Sequence, residues 1–415
     1  MNKSTSNNYL VALSIVGILF FSIGFALGIN GLLIPYLQKA FNLSSTGSYL
    51  VLTATFGAFV ICGYPAGWVI KKIGYKKGMM VSFLFFAIGL YMFIPSAKFE
   101  SFVFFLVASF VSGIGNTILQ AAVNPYVTIC GPMETAAKRI SIMGILNKCG
   151  WAIAPIFLSL FLDLSQTTIK LSDMYLPFYI IVGVFILLAI VVWFVPLPEI
   201  KATGEDESDV SSESKEVAAF VNTKKNIFQF PHLILGVITL FFYVGVETIA
   251  LATVVDFANT ISLPNPERYT SYTVLAMVIG YALGALLIPK IISQTFALKF
   301  CTTLGIICSL LVIIFPVNLA IYFVALMGFA NSLIWGPVWP LAIAYLGRFT
   351  KAGASLLVIA IVGGAIIPLL FAILKDTLGN MQQAYWICFP LYVYMAFYAF
   401  KGHKIGLKSI IKTQA

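Results

Sequence analysis

Twelve runs of about twenty apolar residues, separated by short polar breaks, constrain this 415-residue chain more than any other feature. They lie near 9–33, 49–70, 78–95, 102–130, 140–164, 175–196, 231–259, 271–289, 297–315, 317–346, 352–374 and 383–401. A helix needs about 20 apolar residues to cross roughly 30 Å of hydrocarbon, so each run is long enough to span. The runs are continuously apolar, whereas a membrane β-strand alternates over about ten residues. Only 10% of the residues are charged, against roughly 25% in a soluble domain, too few to cover a water-exposed surface. The pattern predicts an all-α polytopic membrane protein embedded in a lipid bilayer. The first run, Tyr9 to Leu33, is too long for a signal peptide and lacks a small-residue cleavage site, so it counts as a span.

A formal charge of +10 invites a nucleic-acid reading, but the distribution of that charge argues against it. With the N-terminus in the cytoplasm, nineteen of the 25 basic residues fall in inner segments, among them Lys71, Lys72, Lys76, Lys77, Arg139, Lys224 and Lys225. The outer loops hold only Lys39, Lys98, Lys170, Arg268 and Lys375. This positive-inside bias predicts both termini in the cytoplasm of a cell whose inner membrane holds the chain, and it requires an even number of spans. The six cysteines form no CxxC or Cys/His cluster, and the only histidines are His232 and His403. No metal or cofactor is expected from such a set. A membrane enzyme would need a catalytic histidine, an acid pair or a large extramembrane domain, and the sequence offers none.

Residues 197–230 interrupt the apolar pattern. Gly204 to Glu216 is acidic and serine-rich, a composition unable to bury enough apolar surface to order itself. It divides the chain into an N-terminal half (1–196), a cytoplasmic linker (197–230) and a C-terminal half (231–415). The halves echo each other. Gly113, Asn116 and Pro125 in the fourth span recur as Gly328, Asn331 and Pro340 in the tenth. Gly150 to Pro155 parallels Gly363 to Pro368, and the pairs Gly63/Gly67 and Gly280/Gly284 each provide a GxxxG for close helix approach. A six-span repeat preserves orientation. It gives the two parallel-related halves of the major facilitator fold, with a solute site near mid-membrane between them.

Several segments then carry a family resemblance. They are Thr117-Ile-Leu-Gln-Ala-Ala-Val-Asn-Pro-Tyr-Val-Thr-Ile-Cys-Gly131, Tyr243-Val-Gly-Val-Glu247, Leu341-Ala-Ile-Ala, and Leu356 through Pro368. Together they resemble the glucose/galactose permease branch of the fucose/galactose/glucose symporter family, within the major facilitator superfamily. The loop from Gly67 to Lys77 is similar to the superfamily signature between spans two and three, with Lys71 at its usual acidic position. The resemblance implies secondary active uptake of a hexose such as glucose or galactose, coupled to a proton or sodium ion, by a monomer. It also implies a departure. Fucose permeases carry an acid in span one and another in span four, where this chain has Gly31 and Gln120. Coupling through those two carboxylates is excluded.

Of fifteen acids, thirteen lie in the linker, loops or span ends, leaving Glu247 and Asp256 inside the seventh span; Lys148 is the only basic residue inside any span. Ionisable groups at the bilayer centre cost about 2.5–3.5 kcal/mol on insertion scales and are functional candidates. Glu247 is therefore the expected cation-coupling carboxylate. Lys148 is expected to pair with it or to hydrogen-bond sugar hydroxyls, and Asp256 is a second coupling candidate or a solvated acid near the outer end. A fixed structural ion pair is the plainer alternative for Glu247 and Lys148. A sugar site needs amides beside an aromatic platform. Asn30, Gln120, Asn124, Asn147 and Asn331 supply the amides, and Trp151, Trp335 and Trp339 the platforms. Gln120 with Asn124, Asn147 with Trp151, and Asn331 with Trp335 are each four apart and are expected to share a helical face. Interhelical hydrogen bonding is the alternative for the amides. Export of drugs, or carriage of L-fucose or an amino sugar, remains the competing function.

Overall fold

The computed structural model describes residues 3–129, 136–164, 170–195, 221, 223–288, 290–346 and 349–407; the acidic linker core (196–220) lies outside the described residues. For Asn124 and Pro125 only the backbone is described. Every regular element among the described residues is helical. In the N-terminal half these are α1 (Lys3–Ala40), α2 (Ser45–Ile73), α3 (Tyr75–Lys98), α4 (Phe102–Ile129), α5 (Ala136–Ser159) and α6 (Tyr175–Phe194). The C-terminal half begins with α7 (Pro231–Ala252), α8 (Val254–Thr260), α9 (Tyr269–Leu287) and α10 (Gln294–Ile314). It continues through α11 (Val317–Ser332), α12 (Trp335–Ile343), α13 (Thr350–Ile359), α14 (Gly363–Leu378), α15 (Met381–Ala384) and α16 (Cys388–Phe400).

Among the described residues, eleven stretches are long and apolar enough to cross a membrane. The twelfth run of the sequence folds as α15, a 3₁₀ turn (Tyr385–Ile387) and α16, placed end to end from Met381 to Phe400 and too broken to count as one long helix. Three other spans of the C-terminal half are also interrupted. The seventh breaks at Thr253, between α7 and α8. The tenth breaks at Leu333–Ile334, and the eleventh carries a 3₁₀ turn at Ala360–Val362. Pro155, Pro340 and Pro368 lie inside helices, and the breaks in the tenth and eleventh spans fall six residues upstream of Pro340 and Pro368. Broken helices at membrane depth are tolerated where protein or a cavity covers the freed backbone groups.

Two helix crossings of the N-terminal half recur in the C-terminal half. A Cβ on Gly113 of α4 would lie 2.2 Å from the Thr55 carbonyl oxygen of α2, and one on Gly328 of α11 would lie 2.3 Å from that of Thr273 in α9. Likewise Gly150 of α5 abuts the Phe21 carbonyl of α1 at 2.2 Å, and Gly363 of α14 abuts the Phe241 carbonyl of α7 at 1.9 Å. Only glycine lets backbones approach so closely. The GxxxG pairs diverge: Gly280 and Gly284 pack against Ser332 and Leu333, but Gly63 and Gly67 face open space, so the first pair is not a packing motif here. The halves meet along α2 against α14 and α5 against α9, with α1 touching α7 and α8.

Candidate functional site

α5 is fixed first. Gly24 and Gly28 on α1 would each drive a Cβ into backbone of α5: 1.7 Å from the Asn147 carbonyl oxygen and 2.7 Å from that of Trp151. This crossing sets the face of α5 that carries Asn147, Lys148 and Trp151. Asn147 Nδ2 donates to the Phe20 carbonyl across the same seam at 3.1 Å, so this amide ties α5 to α1.

Lys148, the next residue, turns toward the other half. Its Nζ lies 3.0 Å from Glu247 Oε1 on α7, with only 8% and 14% of the two side chains exposed. The ammonium also sits 5.9 Å from the centroid of the Trp151 ring, within cation–π range. Tyr243, one helical turn before Glu247, donates its hydroxyl to the same Oε1 at 2.6 Å. The ring of Tyr281 of α9 rests against Gly144 of α5. The Tyr243 ring lies 6.1 Å from Trp335, which lies 5.7 Å from Trp339 at an interplanar angle of 32°. The result is a continuous series, Trp151, Lys148, Glu247, Tyr243, Trp335, Trp339, that crosses from one half to the other. At an effective dielectric near 20 an ion pair this close is worth about 4 kcal/mol, enough to offset much of the cost of burying both charges.

The break in the tenth span places the tryptophans. α11 ends at Ser332 and α12 begins at Trp335, so the two residues between them re-aim the chain. That break also corrects the expected pairing of Asn331 with Trp335 on one helical face. Asn331 is fully buried and accepts a hydrogen bond from the Tyr392 hydroxyl of α16 at 2.8 Å, inside the C-terminal half. Asn30 is also buried and donates to the Leu27 carbonyl of its own helix. Gln120 is half-buried, and its Nε2 donates to Asn116 Oδ1 at 2.9 Å, one turn back along α4. The side chain of Asn124, its expected partner, lies outside the described ones. Of the predicted sugar-binding residues, contacts join Trp151, Trp335 and Trp339 to the ion pair, with Asn147 on the same helix as Lys148. Among the described residues, no hydrogen bond, ion pair or ring contact joins Asn30, Gln120 or Asn331 to that series.

Asp256 is not a solvated acid. It is 2% exposed and lies on α8, nine residues beyond Glu247 and past the break at Thr253. Lys375 Nζ of α14 donates to both its oxygens (3.1 and 2.9 Å), and the Tyr49 hydroxyl of α2 donates to Oδ2 at 2.8 Å. Lys375, expected in an outer loop, lies in the last turn of α14, where the Asp256 carboxylate 119 residues away holds it. Tyr49, Lys375 and Tyr281 carry no sequence signal that marks them. Tyr243 does, through its four-residue spacing from Glu247 on a helix.

Two helical halves bridged by a buried carboxylate–ammonium pair among tilted aromatic rings are the architecture of a multi-pass membrane transporter. The chain belongs to the Major Facilitator Superfamily, whose sequence profile matches residues 16–366. It is 33% identical to a glucose/galactose transporter of Brucella abortus (strain 2308) over 410 residues, which are 97% of this chain and 96% of that one. It is 32% identical to a putative glucose/galactose transporter of Helicobacter pylori (strain J99) over 419 residues, covering 97% and 98%. The L-fucose-proton symporter of Escherichia coli (strain K12) is 26% identical over 403 residues, covering 91% and 90%. A crystal structure of the fucose:proton symporter in the outward conformation superposes with a TM-score of 0.69 at 24% identity, covering 94% of this chain and 98% of that one.

Proposed function

We propose that this protein takes up a hexose such as glucose or galactose together with a proton or sodium ion, by alternating access between its two halves. The observation that carries the reading is the Lys148–Glu247 pair, which joins α5 of one half to α7 of the other beside Trp151 and Trp335. A sugar needs an aromatic face and hydrogen-bonding groups together, and this series offers both. A cation that binds Glu247 removes its attraction for Lys148, which loosens one tie between the halves and makes their relative motion depend on the ion. The names of the relatives support the substrate class. The positive-inside bias supports an inner-membrane location with both termini cytoplasmic, which makes the face bearing the α1–α2 turn (residues 41–44) the outer one. The boundaries 1–196, 197–230 and 231–415, and a monomeric state, belong to the same proposal.

The test is initial-rate uptake of radiolabelled glucose, galactose, fucose, mannose and N-acetylglucosamine into vesicles, with a pH gradient, a sodium gradient or neither. Accumulation of one or two hexoses under one gradient only is the expected outcome; uptake of none of the five under any gradient overturns the proposal. Within this reading Trp335→Ala is expected to raise KM roughly three- to tenfold, since an aromatic contact is worth about 0.5–1.5 kcal/mol beyond its area. The same assay reads it, and an unchanged KM removes Trp335 from the sugar site.

A further inference from the structure

The bonds between α2 and α14 are not spread along the seam. At its outer end Asp376 of α14 reaches across to the first turn of α2, where Oδ1 accepts from the Ser45 amide at 2.9 Å. Its Oδ2 accepts from the amide and the hydroxyl of Thr46, both at 2.7 Å. A carboxylate on the amides that open a helix is the normal N-terminal capping arrangement, but here the cap comes from the opposite half of the molecule, 330 residues away. One turn further in, Tyr49 of α2 holds Asp256, which Lys375 holds from the other side. Next, Thr53 Oγ1 meets the Ala365 carbonyl at 3.5 Å, and the Phe56 ring packs against Gly364.

Beyond Phe56 the character of α2 changes. Gly57, Gly63 and Gly67 have open space where a Cβ would be, and Ile61, Tyr64 and Trp68 are 65%, 87% and 59% exposed. Above the zipped part, on the outer face, a cavity of about 420 Å³ is floored by Asp256 and Lys375 and walled by Gln38, Asn42, Asn259 and Thr260. The latch therefore lies against a cavity on the outer face while it is shut.

We propose that Asp376, with the Tyr49–Asp256–Lys375 cluster behind it, is the outer latch of the transporter. These groups hold the halves together on the outer face and must part for the site at Glu247 to be loaded from that side. Asp256 is then a gating residue rather than a coupling carboxylate. Charge-assisted hydrogen bonds suit this work: each is strong when made, yet both partners regain water from the adjoining cavity when it breaks. The assignment rests on the alternating-access reading, and its labelling test needs no sugar, so the two can fail separately.

A cysteine introduced by Thr53→Cys, in a background without the six native cysteines, reports access to the seam behind the latch. A membrane-impermeant maleimide is added from each side in turn to vesicles of known orientation. In the parent the reporter should react slowly from the outer face. With Asp376→Asn added, labelling from that face should rise about ten- to a hundredfold, the change in opening that the loss of one charge-assisted bond gives. Asp256→Asn with Lys375→Met should act in the same direction without stranding a lysine. Equal labelling rates in parent and variants overturn the latch. Should either variant fail to fold, Thr46→Cys with Asp376→Cys gives a second reading. Oxidation should abolish transport and a reductant should restore it, whereas full transport with the disulfide formed would sink the proposal.

Discussion

Glu247→Gln is expected to abolish gradient-driven accumulation of the proposed hexose while leaving exchange of sugar across the membrane within a few-fold of the parent. Gln keeps the shape of Glu247 and can still accept from Tyr243, but it cannot hold Lys148 by charge. It therefore resembles the cation-loaded carboxylate permanently. Removing one partner of a buried ion pair typically costs about 3–5 kcal/mol, so a loss of coupled uptake of a hundredfold or more is the expected scale. Counterflow of labelled sugar between preloaded vesicles isolates exchange from coupling, and a pH or sodium electrode follows the ion. The complementary change, Lys148→Ala, leaves a carboxylate buried without its partner and should destabilise the folded protein more than Glu247→Gln does. Combining the two changes should recover part of that loss, as expected for residues that interact directly. Coupled flux in Glu247→Gln that matches the parent would falsify the assignment and return the pair to a purely structural role.

Gly24→Ala is expected to be the most damaging single methyl in the chain. The added Cβ would sit 1.7 Å from the Asn147 carbonyl oxygen, a backbone atom that no side-chain rotation can move away. The α1–α5 crossing must then open. Overpacking of this kind costs about 1–3 kcal/mol when neighbours can shift, and more when they are backbone. Thermal unfolding of detergent-purified protein should show a clear fall in Tm, with uptake lost even at temperatures where the protein stays folded, because Asn147, Lys148 and Trp151 all ride on the displaced face. Gly63→Ala serves as the control: its Cβ meets nothing within 4 Å, and it should behave like the parent. Similar losses from both changes would mean that the crossing does not set the site.

Sequence and structure divide the explanation along physical lines. Hydrophobic length, alternation and charge asymmetry are local properties, and lipid as a solvent converts them directly into spans. The helical class, the two halves and the unusual status of Glu247 and Lys148 were therefore legible in order of residues alone. So was the parallel between Gly113 and Gly328, because a repeat preserves the contacts that its glycines make. What the sequence could not supply was direction. The GxxxG at Gly63 and Gly67 has the same spelling as that at Gly280 and Gly284, but only the second pair meets a neighbour. The four-residue spacing of Asn331 and Trp335 implied one helical face until a two-residue break separated them. Asp256 looked like a solvated end-of-span acid because its partners, Tyr49 and Lys375, are 207 and 119 residues distant. Which charges meet across a membrane depends on how the helices pack. Packing energy is shared among many distant residues, and so tertiary structure alone decided where this chain is tied and where it can open.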